Sequence, residues 1–236
     1  MSEALLILNG KKANQPEIRQ AVNALRDAEH QLDVRVTWDA GDMHRYIDEA
    51  CGRNLDRVVV GGGDGSVNEA TNAILIREGK VPALGIMPLG TANDFATSCR
   101  IPSEPIESLR LALTGESRSI DAVQANEQFF LNVASAGFGA AVTENTPVEL
   151  KNFLGGGAYT IAGLIQALKF EPYPSRVQTP DWESSGQLLV GAVCNGRTAG
   201  GGQPLAPEAL LNDGLMDVLM IEYFFAPDVP QVLQEW

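Results

Sequence analysis

Arg57-Val58-Val59-Val60-Gly61-Gly62-Gly63-Asp64-Gly65-Ser66-Val67-Asn68-Glu69 is the stretch on which the reading of this chain turns. Three consecutive valines predict a buried strand. Glycines, an aspartate and a serine interrupt it, and Val67, Ala70 and Ile74 then recur at helical spacing. Strand, glycine-rich turn and helix together aim backbone N–H groups and a helix N-terminus at an anion such as phosphate. Glycine suits the turn because a side chain would hold a polyphosphate off the backbone. Glycines after a strand also make plain turns, so this stretch alone admits both readings. No Gly-Lys-Ser or Gly-Lys-Thr closes the loop, so it is not a Walker A loop, and no Gly-x-Gly-x-x-Gly fingerprint occurs in the chain.

Ala83-Leu84-Gly85-Ile86-Met87-Pro88-Leu89-Gly90-Thr91-Ala92-Asn93-Asp94-Phe95 repeats the arrangement: an apolar strand runs into a loop of glycine and short polar residues. Ligands of open α/β sheets bind outside the carboxyl ends of the strands. Two neighbouring strands ending in such loops would gather Asp64, Ser66, Thr91 and Asp94 around one crevice.

Working outward, residues 4–8 predict a buried strand. Pro16 opens a helix with Ile18, Ala21, Val22, Leu25 and Ala28 on one face. Leu32 to Trp38 alternates as a strand, and Met43, Tyr46, Ile47 and Ala50 mark the core face of the next helix. His44 reads as a surface residue. A further helix is expected near Ile106 to Leu113. Alternating strands and helices imply a parallel sheet covered on both faces. Ser119 to Val123 reads as a strand leaving that layer, which puts the domain boundary near residue 122. Beyond it, Gln128–Val133, Arg176–Glu183, Gln187–Cys194 and Leu215–Phe224 read as strands, mostly without helices between them. The exception is 147–168, where Val148, Leu150, Ile161, Leu164, Ile165 and Leu168 suggest a helix broken by Gly155-Gly156-Gly157.

The 236 residues suffice for one large or two modest domains, and the formal charge is −13. That charge argues against nucleic acid as a partner and against a polybasic membrane anchor. A bound nucleotide would therefore need local help from Mg²⁺, backbone N–H groups and a few lysines. Lys11 and Lys12 are candidates, or else solvated loop lysines. Cys51, Cys99 and Cys194 have no metal-ligand spacing and read as free thiols of a reducing compartment. No segment has transmembrane length, and the expected location is the cytoplasm.

Gly-Gly-Asp-Gly-Ser-x-Asn-Glu followed by Pro-x-Gly-Thr-x-Asn-Asp-Phe resembles the diacylglycerol-kinase catalytic superfamily, and most closely its bacterial YegS-like lipid-kinase branch. The resemblance extends through Leu5 to Lys11, Val34 to Trp38, Asn195 to Gln203 and Leu210 to Leu215. The Gly-Gly-Asp-Gly turn also occurs in phosphofructokinases and NAD kinases; the Gly-Thr-Ala-Asn-Asp-Phe loop favours lipid kinases. The fold it implies is α/β: an N-terminal parallel-sheet nucleotide-binding domain over residues 1–122, of the NAD-kinase and diacylglycerol-kinase kind, then a β-rich, sandwich-like lipid domain over 123–236.

The same resemblance implies that Thr37, Gly63, Asp64, Gly65, Ser66, Val67, Asn68, Glu69 and Thr91 hold ATP. It gives Asp64 and Asp94 a Mg²⁺-positioning role, since hard cations prefer carboxylate oxygens. Asp121, in an Ile-Asp-x-x-x-x-Asn setting, is either part of that network or a turn-capping carboxylate. Leu210, Asp213 and Leu215 match a second metal site, for Mg²⁺ or Ca²⁺, with two backbone carbonyls and one carboxylate. Asn212-Asp213-Gly214 is also a plain turn signal. The implied activity is transfer of the γ-phosphate of ATP to a lipid hydroxyl, of phosphatidylglycerol or diacylglycerol, met peripherally at a membrane. Phe129, Phe130, Phe138 and the 147–168 segment would line the lipid groove.

Related lipid kinases carry a Leu-Asp-Gly-Glu motif whose acidic side chain is expected to deprotonate the lipid hydroxyl, and this sequence has none. Either the chain is a fragment, or the base has been lost. In the second case the protein is a non-catalytic nucleotide- or lipid-binding homologue. A kinase for a soluble acceptor such as NAD is the third alternative. Exposed strand edges in an incomplete second domain would favour aggregation or a homodimer.

Overall fold

The computed structural model describes residues 3–137 and 171–228, together with Gln231. The helical segment expected over 147–168, Phe138 and residues 232–236 lie outside the described residues. The chain divides into two compact units, Met1–Leu131 and Asn132–Trp236.

The first unit is a parallel sheet with helices on both faces. Strands β1 (Glu3–Asn9), β2 (Gln31–Thr37), β3 (Arg57–Gly62) and β4 (Ala83–Pro88) lie in the order β2-β1-β3-β4. All three pairings are parallel, with Asn9 opposite Thr37, Leu8 opposite Gly61 and Gly62 opposite Pro88. Helices α1 (Pro16–Asp27), α2 (Asp42–Gly52) and α3 (Asp64–Leu75) connect successive strands; α4 (Asp94–Ser98) and α5 (Pro105–Thr114) follow β4.

Side chains alternate across a strand, so the apolar run of β1 feeds two cores. Leu6 and Leu8 join Ile18, Val22 and Leu25 of α1 and Leu109 and Leu113 of α5 on one face. Leu5 and Ile7 join Met43 and Ile47 of α2 and Ala70, Ala73 and Ile74 of α3 on the other. The change of face follows from the strand order. The chain leaves β1 for β2 on one side and resumes on the other side of β1 with β3. That reversal opens a crevice at the carboxyl ends of β1 and β3.

Two elements differ from expectation. Residues 119–122 are irregular, and the strand begins only at Val123. It forms a hairpin, β5 (Val123–Ala125) and β6 (Gln128–Phe130), turned at Asn126 with φ of 56°. This hairpin lies with the first unit rather than opening the second. The Asn72 side chain is the reason: its Nδ2 donates to Phe129 O at 2.8 Å and its Oδ1 accepts from Phe129 N–H at 2.8 Å. The amide thus pairs with the hairpin as another strand would.

The second unit is β-rich and antiparallel. Strand β7 (Val133–Gly137) pairs with the C-terminal half of the long β9 (Glu183–Cys194), and β8 (Tyr173–Gln178) pairs with its N-terminal half. Two short strands, β10 (Thr198–Ala199) and β11 (Gln203–Pro204), flank Gly200, Gly201 and Gly202, all at positive φ. Strand β12 (Asp217–Glu222) closes the other edge of β9. Among the described residues, no helix is long and apolar enough to cross a membrane.

Candidate functional site

The two glycine-rich loops lie side by side at the carboxyl edge of the parallel sheet. Leu89 N–H donates to Gly62 O at 2.9 Å, carrying the β3–β4 pairing past the end of β4. Gly63 is the N-cap of α3 and offers no side chain to the first turn; Ser66 N–H donates to Gly63 O at 2.9 Å, which leaves the Asp64 and Gly65 N–H groups to an anion. The glycines differ in purpose. A Cβ on Gly62 would stand 2.5 Å from the Ser66 side chain, and one on Gly90 would stand 2.5 Å from Gly63 Cα. Those two glycines allow packing. Gly65, on the first turn of α3, has nothing within 4 Å of its missing Cβ. Its bareness leaves open space over the helix N-terminus, the kind of space a phosphate fills.

The second loop is shaped by an asparagine that the sequence reading passed over. Asn93 takes the left-handed conformation (φ of 52°). Its Oδ1 accepts from Gly90 N–H at 2.8 Å and its Nδ2 donates to Gly90 O at 3.0 Å. This starts α4, a five-residue helix with no periodic signal of its own. Asp64, from the first turn of α3, accepts the Phe95 N–H through Oδ1 at 3.1 Å, and so ties α3 to α4. Asp94 is only 5 % exposed. Thr91, Asn68 and Glu69 are exposed, whereas the Val67 side chain is in the core, leaving only its backbone for a ligand.

A third element reaches the same edge. Asn9, at the end of β1, donates from Nδ2 to Ser66 Oγ at 3.2 Å, and its Oδ1 accepts from Lys11 N–H at 3.0 Å. Thr37 Oγ1 accepts from Gly10 N–H at 3.3 Å. Asn9, Gly10, Lys11, Thr37 and Trp38 line a cleft of about 380 Å³. A second cleft, of about 400 Å³, is bordered by Gly65, Asn68, Glu69 and Asn72 of α3, with His44, Ile76, Glu127 and Gln128. His44, half-buried on the surface, lines that cleft.

Thr37, Gly63 to Glu69, Thr91 and Asp94 thus share one sheet edge. Asp121 falls in the irregular stretch before β5. Leu210, Asp213 and Leu215 are in the second unit, just before β12. Asp213 Oδ1 accepts from Leu215 N–H at 3.0 Å, with Gly214 at φ of 73°, which is the geometry of a side-chain-stabilised turn. Among the described residues, no three His, Cys, Asp or Glu side chains converge as a metal group. A metal there would depend on backbone carbonyls with the one carboxylate. Burial pushes the Cys99 and Cys194 thiols up to about 11, so neither is a nucleophile at neutral pH.

The family model of the diacylglycerol kinase catalytic domain matches residues 3–125, and that of the YegS C-terminal NAD kinase beta sandwich-like domain matches residues 132–235. A "probable lipid kinase YegS-like" protein of Shewanella frigidimarina is 52 % identical over 232 residues, 98 % of this chain and 75 % of that protein. This chain belongs to the YegS-like lipid kinase family. A YegS-like relative from Chromohalobacter salexigens is 47 % identical over 93 % of the chain and 71 % of its own length. A putative diacylglycerol kinase of Bacillus anthracis has a solved structure that superposes with a TM-score of 0.78 at 26 % identity, covering 99 % of this chain and 78 % of that one. A parallel-sheet α/β unit followed by a β-rich, sandwich-like unit is therefore the architecture of this YegS-like chain as of its relatives.

Proposed function

We propose that this chain is a Mg²⁺-dependent kinase that transfers the γ-phosphoryl group of ATP to a lipid hydroxyl, with phosphatidylglycerol or diacylglycerol as acceptor. The observation that carries the reading is the open space at Gly65 in the first turn of α3, the turn that also carries Asp64, whose carboxylate is bonded to the Phe95 N–H beside Asp94. Phosphoryl transfer depends on positioning and charge stabilisation more than on covalent chemistry from the protein. The Asp64 and Gly65 N–H groups at the start of α3 bind phosphate oxygens; Ser66, Asn68, Glu69, Thr91 and Thr37 border the nucleotide. Asp64 and Asp94 would hold Mg²⁺, which neutralises phosphate charge when bound, and their hard oxygen donors fit it. In the second unit, the carbonyls of Leu210 and Leu215 with the Asp213 carboxylate would supply oxygen donors of the kind Mg²⁺ or Ca²⁺ takes. The lipid is met peripherally, from the cytoplasm.

The test is transfer of labelled γ-phosphate from ATP to mixed lipid micelles with Mg²⁺, using Asp64→Ala as control. Labelled lipid from the wild type and none from the control is the expected result. ATP binding without transfer by a folded protein would favour the non-catalytic homologue, and label on NAD or a sugar phosphate a soluble-acceptor kinase.

A further inference from the structure

Trp38 is the anomaly of the first unit. Its side chain is 88 % exposed, although indoles contribute most when buried and rarely stand in water without a partner. The backbone that carries it is held firmly. Trp38 N–H donates to Asp42 Oδ2 at 2.7 Å, Asp39 N–H donates to the same oxygen at 3.0 Å, and Asp42 Oδ1 pairs with Arg45 at 2.5 Å. A firmly held backbone presenting an unpacked aromatic ring is the arrangement of a recognition residue, whose main chain is in place before the ligand arrives.

Trp38 lines the cleft at the ends of β1 and β2, whose other walls are Asn9, Gly10, Lys11 and Thr37. Gly10 lets the ends of β1 and β2 approach closely: a Cβ there would stand 2.3 Å from Thr37 O. Asn9 joins the cleft to the phosphate loop through its bond to Ser66. Strands β2 and β3 flank β1, so the cleft lies two strand spacings, about 10 Å, from that loop. An extended nucleoside triphosphate spans such a gap with phosphates at one end and base at the other.

We infer that Trp38 is the stacking platform for the base of the nucleoside triphosphate, held in the cleft at the ends of β1 and β2. Lys11 is the cation among the lining residues. The inference rests on the nucleotide-binding reading above and adds to it the place of the base. A membrane-anchoring role for the indole fits less well, because Asp39 and Asp42 stand beside it on a chain of net charge −13.

The experiment is calorimetric titration of the full chain with ATP and with inorganic tripolyphosphate, for wild type, Trp38→Ala and Trp38→Phe. Trp38→Ala should weaken ATP about tenfold or more, as loss of base stacking does. Trp38→Phe should retain most of the affinity, and tripolyphosphate should bind all three alike. Since the ring is exposed and the clamp uses backbone atoms, Trp38→Ala should melt at the wild-type temperature. Unchanged ATP affinity in Trp38→Ala overturns the platform and leaves the proposed function standing. So does an equal loss of tripolyphosphate affinity, or a defect confined to binding of phosphatidylglycerol vesicles. A wild type that binds tripolyphosphate but gains nothing from the base overturns the platform alone. One that binds neither overturns both readings.

Discussion

Gly63 and Gly90 meet backbone to backbone: a Cβ added to Gly63 would lie 3.0 Å from Gly90 Cα, and one added to Gly90 would lie 2.5 Å from Gly63 Cα. The two loops of the site are therefore one packed object rather than two independent turns. Gly90→Ala would also press on Asn93 Oδ1, at 2.7 Å, which organises the second loop. The expected cost is about 2 kcal/mol of stability, within the range for overpacking, together with loss of ATP binding. Urea unfolding and nucleotide titration of the same sample measure both.

Gly65→Ala should behave in the opposite way. Its Cβ meets nothing in the protein and sits in a helix, where alanine is preferred by about 0.5–1 kcal/mol. The variant should be as stable as wild type or slightly more so, yet bind ATP more weakly, because the new methyl group stands where a phosphate would approach. A thermal melt with and without ATP separates the two effects.

Asp64→Asn retains an oxygen able to accept the Phe95 N–H and removes only the charge. Folding should be nearly unchanged, while transfer to lipid falls by about two orders of magnitude, as expected when several kcal/mol of charge stabilisation is lost. Initial rates across a Mg²⁺ series check this, and a rate equal to wild type would remove Asp64 from the site.

Asn72→Ala should release the hairpin at 123–130 from α3. Two hydrogen bonds disappear and the Phe129 backbone groups lose their partner, for a cost of about 2 kcal/mol. Hydrogen exchange should show the Phe129 amide losing protection before the parallel sheet does.

Acid stability should bear the mark of Asp42. The Trp38 N–H above all, then the Asp39 N–H and the Arg45 guanidinium, pull its carboxyl from 3.8 to about 2. A depressed carboxyl contributes stability that is complete above its unfolded value, near 4, and disappears as pH falls through about 2. The melting-temperature gap between wild type and Asp42→Asn should be full at pH 7 and close between pH 4 and pH 2.

Much of this organisation was legible in the chain. Alternating apolar runs announced the parallel sheet, and the two glycine loops do lie together at its carboxyl edge. What escaped were side-chain amides acting over distance. Asn9 reaches Ser66, and Asn72 reaches Phe129, each across 57 residues of sequence. Asparagine in a loop or on a polar helix face looks alike whether it bonds water or a remote backbone. Asn93 was hidden differently: its partner Gly90 is three residues away, but the quoted motif drew the eye to the aspartate beside it. Trp38 read as the last residue of a strand, since alternation cannot tell an exposed ring from a buried one.

The Asn72 amide also sets where the first unit can be cut. A two-stranded hairpin is marginal in isolation, and this one is fastened to the helix that begins at the first glycine loop. Trimming the chain after α5, where the sheet and its covering helices are already complete, would strip α3 of that brace. The smallest piece expected to present an intact loop runs to Leu131, so the hairpin serves as the closing clasp of an autonomous module.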